Sequence, residues 1–125
     1  MEATTPRRLL LIDDEAMVRT MLTDVLESFG YRVDAAESGE AALERFHAGQ
    51  YDAVITDLVM PGMNGLEAAE RLREFDSVVP VILLTGSAGA SAVHEARRAG
   101  LKVVYKPVSL SGLKAVVETA CEQTA

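Results

Sequence analysis

Five polar side chains stand where apolar runs stop: Asp13 and Asp14 after Leu9-Leu10-Leu11-Ile12, Asp57 after Val54-Ile55, Thr85 after Val81-Ile82-Leu83-Leu84, and Lys106 after Val103-Val104-Tyr105. Gathered in one place, the three carboxylates would repel one another. At an effective dielectric of 20, a pair about 4 Å apart costs roughly 4 kcal/mol, an upper-end figure for a solvated cleft. A divalent cation offsets this, and Mg²⁺ fits, because it takes oxygen ligands and is typically held by one or two carboxylates together with phosphate oxygens. A carboxylate is also a nucleophile. Asp57 is the best candidate, since it follows a central run and precedes Met60-Pro61-Gly62, a turn that would leave the carboxylate at the edge of a sheet. Phosphoryl transfer asks mainly for positioning and for neutralisation of charge on the equatorial oxygens. The Thr85 hydroxyl and Lys106 ammonium would supply donors, and an aspartyl phosphate is the expected product. Each residue alone has a plainer use, as a helix cap, a turn or a strand terminus. Their shared placement at strand ends is what speaks for a site.

Such a site needs strands that all end on one side. Apolar runs of strand length alternate five times with segments of helical period, which points to repeated βα units and a parallel sheet. The first helix, from near Glu15, puts Val18, Leu22, Val25, Leu26 and Phe29 on one stripe and is closed by Gly30. Ser38 and Gly49 bracket a second helix with Leu43 and Phe46. Asn64 with Glu67 three residues on reads as a capping box for a third, with Leu66, Ala69 and Leu72 inward. A fourth runs from about Ala88 to Ala99 before Gly100, and a fifth from Ser109 buries Leu110, Leu113, Val116, Val117 and Ala120. Strands one, three and four are continuously apolar and belong in the centre; strand two (Tyr31 to Ala36) and strand five carry charge and belong at the edges. Right-handed crossovers then permit the order 2-1-3-4-5. The fold expected is α/β, a doubly wound five-stranded parallel sheet of flavodoxin-like type with helices on both faces. Its switch-point crevice lies between the strand ends carrying Asp13-Asp14 and Asp57.

A chain of 125 residues with 49% hydrophobic residues fits one domain, 1–125 with a core of about 8–123, and leaves no room for an output domain after Pro107. A net charge of −7 argues against direct nucleic-acid binding. The four apolar residues after Arg7-Arg8 are too few for a signal peptide or a membrane span, so a cytoplasmic protein is expected. Cys121 is the only cysteine and reads as a small residue on the last helix, and His47 and His94 read as solvated.

With these motifs in order, the chain closely resembles the receiver domain of bacterial two-component response regulators, whether single-domain or the receiver of a hybrid histidine kinase. The resemblance rests on Leu10 to Glu15, Thr56 to Gly65, Thr85-Gly86-Ser87 and Lys106-Pro107. It implies that a histidine kinase or histidine phosphotransfer protein donates a phosphoryl group to Asp57. It also implies that Asp13 (through water), Asp14, Asp57 and the Val59 backbone carbonyl hold Mg²⁺, that Thr85 and Lys106 bind phosphoryl oxygens, and that the Lys106–Pro107 bond is cis. The receiver would then signal by altered protein contacts rather than act as an enzyme on other substrates. One such contact is a homodimer through the fourth helix, fifth strand and fifth helix. The face of the first helix that docks the kinase in the family carries Met17 and Met21 here, residues that also suit the edge of a core. The chain departs from the family pattern at Val103, where an aromatic usually stands; the aromatic here is Tyr105. The approach from Gly100 to Lys106 is one residue shorter, and Val108 replaces the frequent Phe. The family positions that tune acyl-phosphate lifetime are Val59 and Ser87, neither suited to orienting water, which implies a long-lived phosphoryl state. The alternatives are a Mg²⁺-dependent phosphohydrolase with an aspartyl nucleophile, for which Glu15 is a weak pointer, and a receiver-like interaction module that is not phosphorylated.

Overall fold

The computed structural model describes residues 6–86 and 90–122. Strands β1 (Arg8–Ile12), β2 (Arg32–Ala36), β3 (Ala53–Asp57), β4 (Val81–Thr85) and β5 (Lys102–Tyr105) alternate with helices α1 (Ala16–Ser28), α2 (Gly39–Arg45), α3 (Gly65–Phe75), α4 (Ala90–Arg98) and α5 (Leu110–Glu122). All neighbouring strands pair in parallel, in the order β2-β1-β3-β4-β5. β3 and β4 are buried along their whole length, while β2 and β5 keep charged Arg32 and Lys102 exposed at the edges, so the polarity of each run predicts its place.

Alternation along each strand builds two apolar layers. Leu10, Ile12, Val54, Val81, Leu83 and Val103 face α2, α3 and α4, meeting Ala42, Leu66, Ala69, Leu72, Val93 and Ala96. Leu9, Leu11, Ile55, Ile82 and Leu84 face α1 and α5, meeting Leu22, Leu26, Leu113, Val117 and Ala120. Full burial of each such leucine contributes about 1.5–3 kcal/mol. Helix ends follow their local chemistry. Ser38 accepts from the Ala41 N–H, Asn64 and Glu67 form the reciprocal capping box, and Gly30 and Gly100 take φ of +100° and +82° behind α1 and α4.

α1 opens at Ala16 with Glu15 as its extended N-cap, in line with the expected start near Glu15. Two expectations on the elements need correction. α2 stops at Arg45 rather than running to Gly49. Phe46 already has extended backbone and is buried from the following turn, where its ring stacks on Tyr51 at 5.8 Å between centroids. Leu110 is exposed, because the first turn of α5 stands at the strand-end side of the sheet, past the surface that Leu113 and Val117 cover. The expected helix start at Ala88 lies outside the described residues. Cys121 is buried in the second layer, and burial pushes its thiol up to about 11.

Candidate functional site

The strand ends meet on one edge. Asp13 follows β1 and is 2% exposed. Its N–H donates to the Ala36 carbonyl at 3.1 Å, its Oδ1 accepts the Glu15 N–H at 2.9 Å, and its own carbonyl accepts Arg19 Nη1 at 2.8 Å. Asp14 is exposed beside it. Asp57 closes β3. Its Oδ1 accepts the Val59 N–H at 3.3 Å, and its Oδ2 lies 3.1 Å from Lys106 Nζ. Asp13, Asp14 and Asp57 each turn one carboxylate oxygen to within 4.8 Å of the others. Burial holds the Asp13 carboxyl above the usual carboxylate range; the charges of Asp57 and Asp14 add to this, and the Glu15 N–H and Lys106 oppose it.

Thr85 ends β4, with Asp57 paired to Leu84 on the neighbouring strand. Its hydroxyl is buried without a hydrogen-bond partner, the only such side-chain atom among the described residues. A buried orphan of this kind costs about 1–3 kcal/mol. Thr56, buried on β3, avoids that cost by donating to the Asp57 carbonyl at 3.0 Å. Lys106 leaves β5 with its N–H on the Thr85 carbonyl at 2.8 Å, and the Lys106–Pro107 bond is cis. The short approach from Gly100 therefore still delivers the ammonium to Asp57.

The loop after Asp57 is fixed at both ends. Met60 is buried, Gly62 takes φ +72°, and the Gly65 N–H donates to the Leu58 carbonyl at 2.8 Å. At Gly65 a Cβ would collide with the Asp57 carbonyl oxygen and come within 2.9 Å of Leu58 Cα. Glycine here lets α3 start directly against the backbone of Asp57 and Leu58.

The structure thus brings together Asp13, Asp14, Asp57 and Lys106, with Thr85 at the adjoining strand end. Val59 lies in the loop with its N–H on Asp57 and its side chain 67% exposed. Ser87 lies outside the described residues. Val103 is buried under α4, whereas Tyr105 is half exposed in a shallow groove with Ser91, Val93, His94 and Arg97. Met17 and Met21 are 85% and 56% exposed, which argues against the core-edge reading. Two supporting residues are not apparent from the sequence pattern. Gly65 leaves a trace, being a poor helix former at a first helical position. Arg19 reads as an ordinary polar residue of α1.

The protein-family model of the response regulator receiver domain matches residues 9–118. Regulatory protein AtoC of Escherichia coli is 35% identical over 95% of this chain, which spans only 26% of that protein. A receiver domain protein from Clostridium thermocellum superposes with a TM-score of 0.90 at 27% identity, covering 94% of this chain and 96% of that one. The response regulator TrrA of Thermotoga maritima, solved in complex with Mg²⁺ and BeF, is 37% identical with a TM-score of 0.81, over 91% and 98% of the two chains. Sequence and fold agree over nearly the whole chain, which belongs to the receiver domain family of two-component response regulators.

Proposed function

We propose that this receiver accepts a phosphoryl group on Asp57 from the phosphohistidine of a histidine kinase or phosphotransfer protein, and signals through the contacts it then makes. One Asp57 carboxylate oxygen attacks phosphorus. The O–P bond forms as the N–P bond breaks, and the bonding pair returns to the imidazole nitrogen. Lys106, now paired with Asp57 Oδ2, is within reach of the charge that gathers on the phosphoryl oxygens. The Thr85 hydroxyl donates to another of those oxygens and gains the partner it otherwise lacks. That orphaned hydroxyl beside the Asp57–Lys106 pair is the observation that carries this reading. Asp13, Asp14, Asp57 and the Val59 carbonyl would hold Mg²⁺. The clustered carboxylate oxygens suit a hard divalent ion, and bound there it neutralises phosphoryl charge. The Mg²⁺–BeF complex of the related TrrA supports the same assignment.

The exposed methionines of α1, with Val59 and Leu110 also exposed at the strand-end side, suit the docking of a donor protein. A second copy is the contact proposed for the α4, β5 and α5 face. There a cavity of about 790 Å³ runs along the open edge of β5, lined by Arg97, Lys102, Val103 and Ala115. Among the described residues no helix is long and apolar enough to cross a membrane.

The test is intact mass after incubation with acetyl phosphate. One phosphoryl adduct is expected with Mg²⁺, none with EDTA, and none in Asp57→Ala. Absence of the adduct under all conditions would favour an interaction module that is not phosphorylated, and sustained turnover of a general phosphatase substrate would favour a hydrolase.

A further inference from the structure

Arg19 is the only cation on α1, and it is half-buried. The ion pairs among the described residues are Arg7–Asp52, Arg8–Asp34 and Lys106–Asp57. Arg19 is in none of them, in a chain with 19 acidic residues. Its Nη1 instead reaches back to the Asp13 carbonyl at 2.8 Å. Asp13 is thereby held at three points: its N–H on Ala36, its carbonyl under Arg19, and its Oδ1 under the Glu15 N–H. Its other oxygen, Oδ2, takes no hydrogen bond among the described residues.

We propose that Arg19 is a positioning residue for the cation. By holding the Asp13 carbonyl it fixes the turn that presents Asp13 and Asp14 towards Asp57, so the carboxylates are arranged before an ion arrives. This rests on the Mg²⁺-dependent phosphoacceptor reading above. Two effects of Arg19 oppose each other. Its positive charge disfavours a nearby cation, but that charge is spent on a carbonyl rather than a ligand oxygen, and salt screens it over a Debye length of about 8 Å at 0.15 M ionic strength. Loss of a group that orients a metal ligand costs about 10–100-fold in metal affinity. Orientation outweighs repulsion, so removing the guanidinium weakens cation binding.

The experiment is calorimetric titration of the full chain with MgCl₂ at 0.15 M and 0.5 M KCl, for the parent, Arg19→Met, Arg19→Gln and Arg19→Lys. It is paired with acetyl phosphate labelling as a function of Mg²⁺ and with thermal midpoints in EDTA. Arg19→Met is expected to weaken Mg²⁺ binding about 10-fold at both salt concentrations, with the labelling rate restored to within about twofold of the parent at saturating Mg²⁺. Arg19→Lys, which keeps a donor and the charge, should recover part of the loss. Arg19→Gln, which keeps a donor without the charge, carries the same test if Arg19→Met does not fold. Unchanged or tighter Mg²⁺ binding in the Met or Gln variant, or a labelling deficit that saturating Mg²⁺ does not repair, would overturn the inference. A parent that binds no Mg²⁺ would overturn the phosphoacceptor reading and this inference with it.

Discussion

Asp13 concentrates the electrostatic tension of the site, because it is almost fully buried, faces two other carboxylates, and is pinned so that it cannot turn away. Its folded-state proton affinity is raised, chiefly by burial. Between the ordinary carboxylate value and that raised value the folded chain binds a proton that the unfolded chain does not. The cation-free protein therefore gains stability as pH falls through this window, and the penalty is complete above it. Asp13→Asn keeps the acceptor for the Glu15 N–H and removes the charge. In EDTA at neutral pH it is expected to raise the thermal midpoint by roughly 3–6 °C, on the order of 1 kcal/mol, with a smaller gain near pH 4. On the proposed reading, in which Mg²⁺ binds the folded chain at these carboxylates, it should raise the midpoint of the parent and raise that of Asp13→Asn less. A lowered midpoint in the variant at both pH values would mean that the acids do not strain one another. At this scale the sequence is most legible: an acid, a hydroxyl or an ammonium that interrupts an apolar run is visible without coordinates. A guanidinium spent on a carbonyl six residues back, like that of Arg19, leaves no such mark.

Elements convert those interruptions into geometry, and α3 does so most directly. Its capping box satisfies the first turn, and Asn64→Ala should cost about 1 kcal/mol while leaving acetyl phosphate labelling of Asp57 intact. Gly65→Ala should behave differently. The new methyl meets backbone at Asp57 and Leu58 rather than a side chain that could swing aside. A loss of about 2–3 kcal/mol in denaturant unfolding is expected, together with slowed labelling, because the loop that carries the carboxylate must shift. Equal labelling in the two variants would separate Gly65 from the site. Strand order was readable from Arg32 and Lys102 on the edge strands against the unbroken apolar runs of β3 and β4. Helix ends were less so. Phe46 has the right spacing for α2 yet is buried through Tyr51, and Leu110 has the right spacing for α5 yet stands past the surface that the helix covers. Periodicity registers which residues are apolar, and only the tertiary arrangement decides what each of them meets.

For the molecule as a whole, the proposed phosphoacceptor must meet one protein to be charged and another to report. Met21 is exposed on α1, one turn of helix from Met17. Met21→Glu is expected to slow transfer from a cognate phosphohistidine donor by about tenfold, equivalent to about 1.4 kcal/mol, while labelling by acetyl phosphate is unchanged. Unaltered transfer would remove α1 from the docking surface. The exposed Val59 side chain offers no acid or amide to orient an attacking water, so the phosphoryl state should outlast seconds at neutral pH with Mg²⁺, as followed by decay of the mass adduct. At β5 the buried residue is Val103, while Tyr105 is half exposed and lines a shallow groove with Ser91, Val93, His94 and Arg97. Lys106 still reaches Asp57 despite that arrangement, so the chemistry proposed at the strand ends does not depend on it. Its most direct test is borohydride reduction of the acetyl phosphate-treated protein, which converts an aspartyl phosphate to homoserine, followed by peptide sequencing in a mass spectrometer. Homoserine at position 57 and at no other aspartate is the predicted result; homoserine at position 13 or 14, or at none, would contradict the assignment of Asp57 as the phosphoryl acceptor.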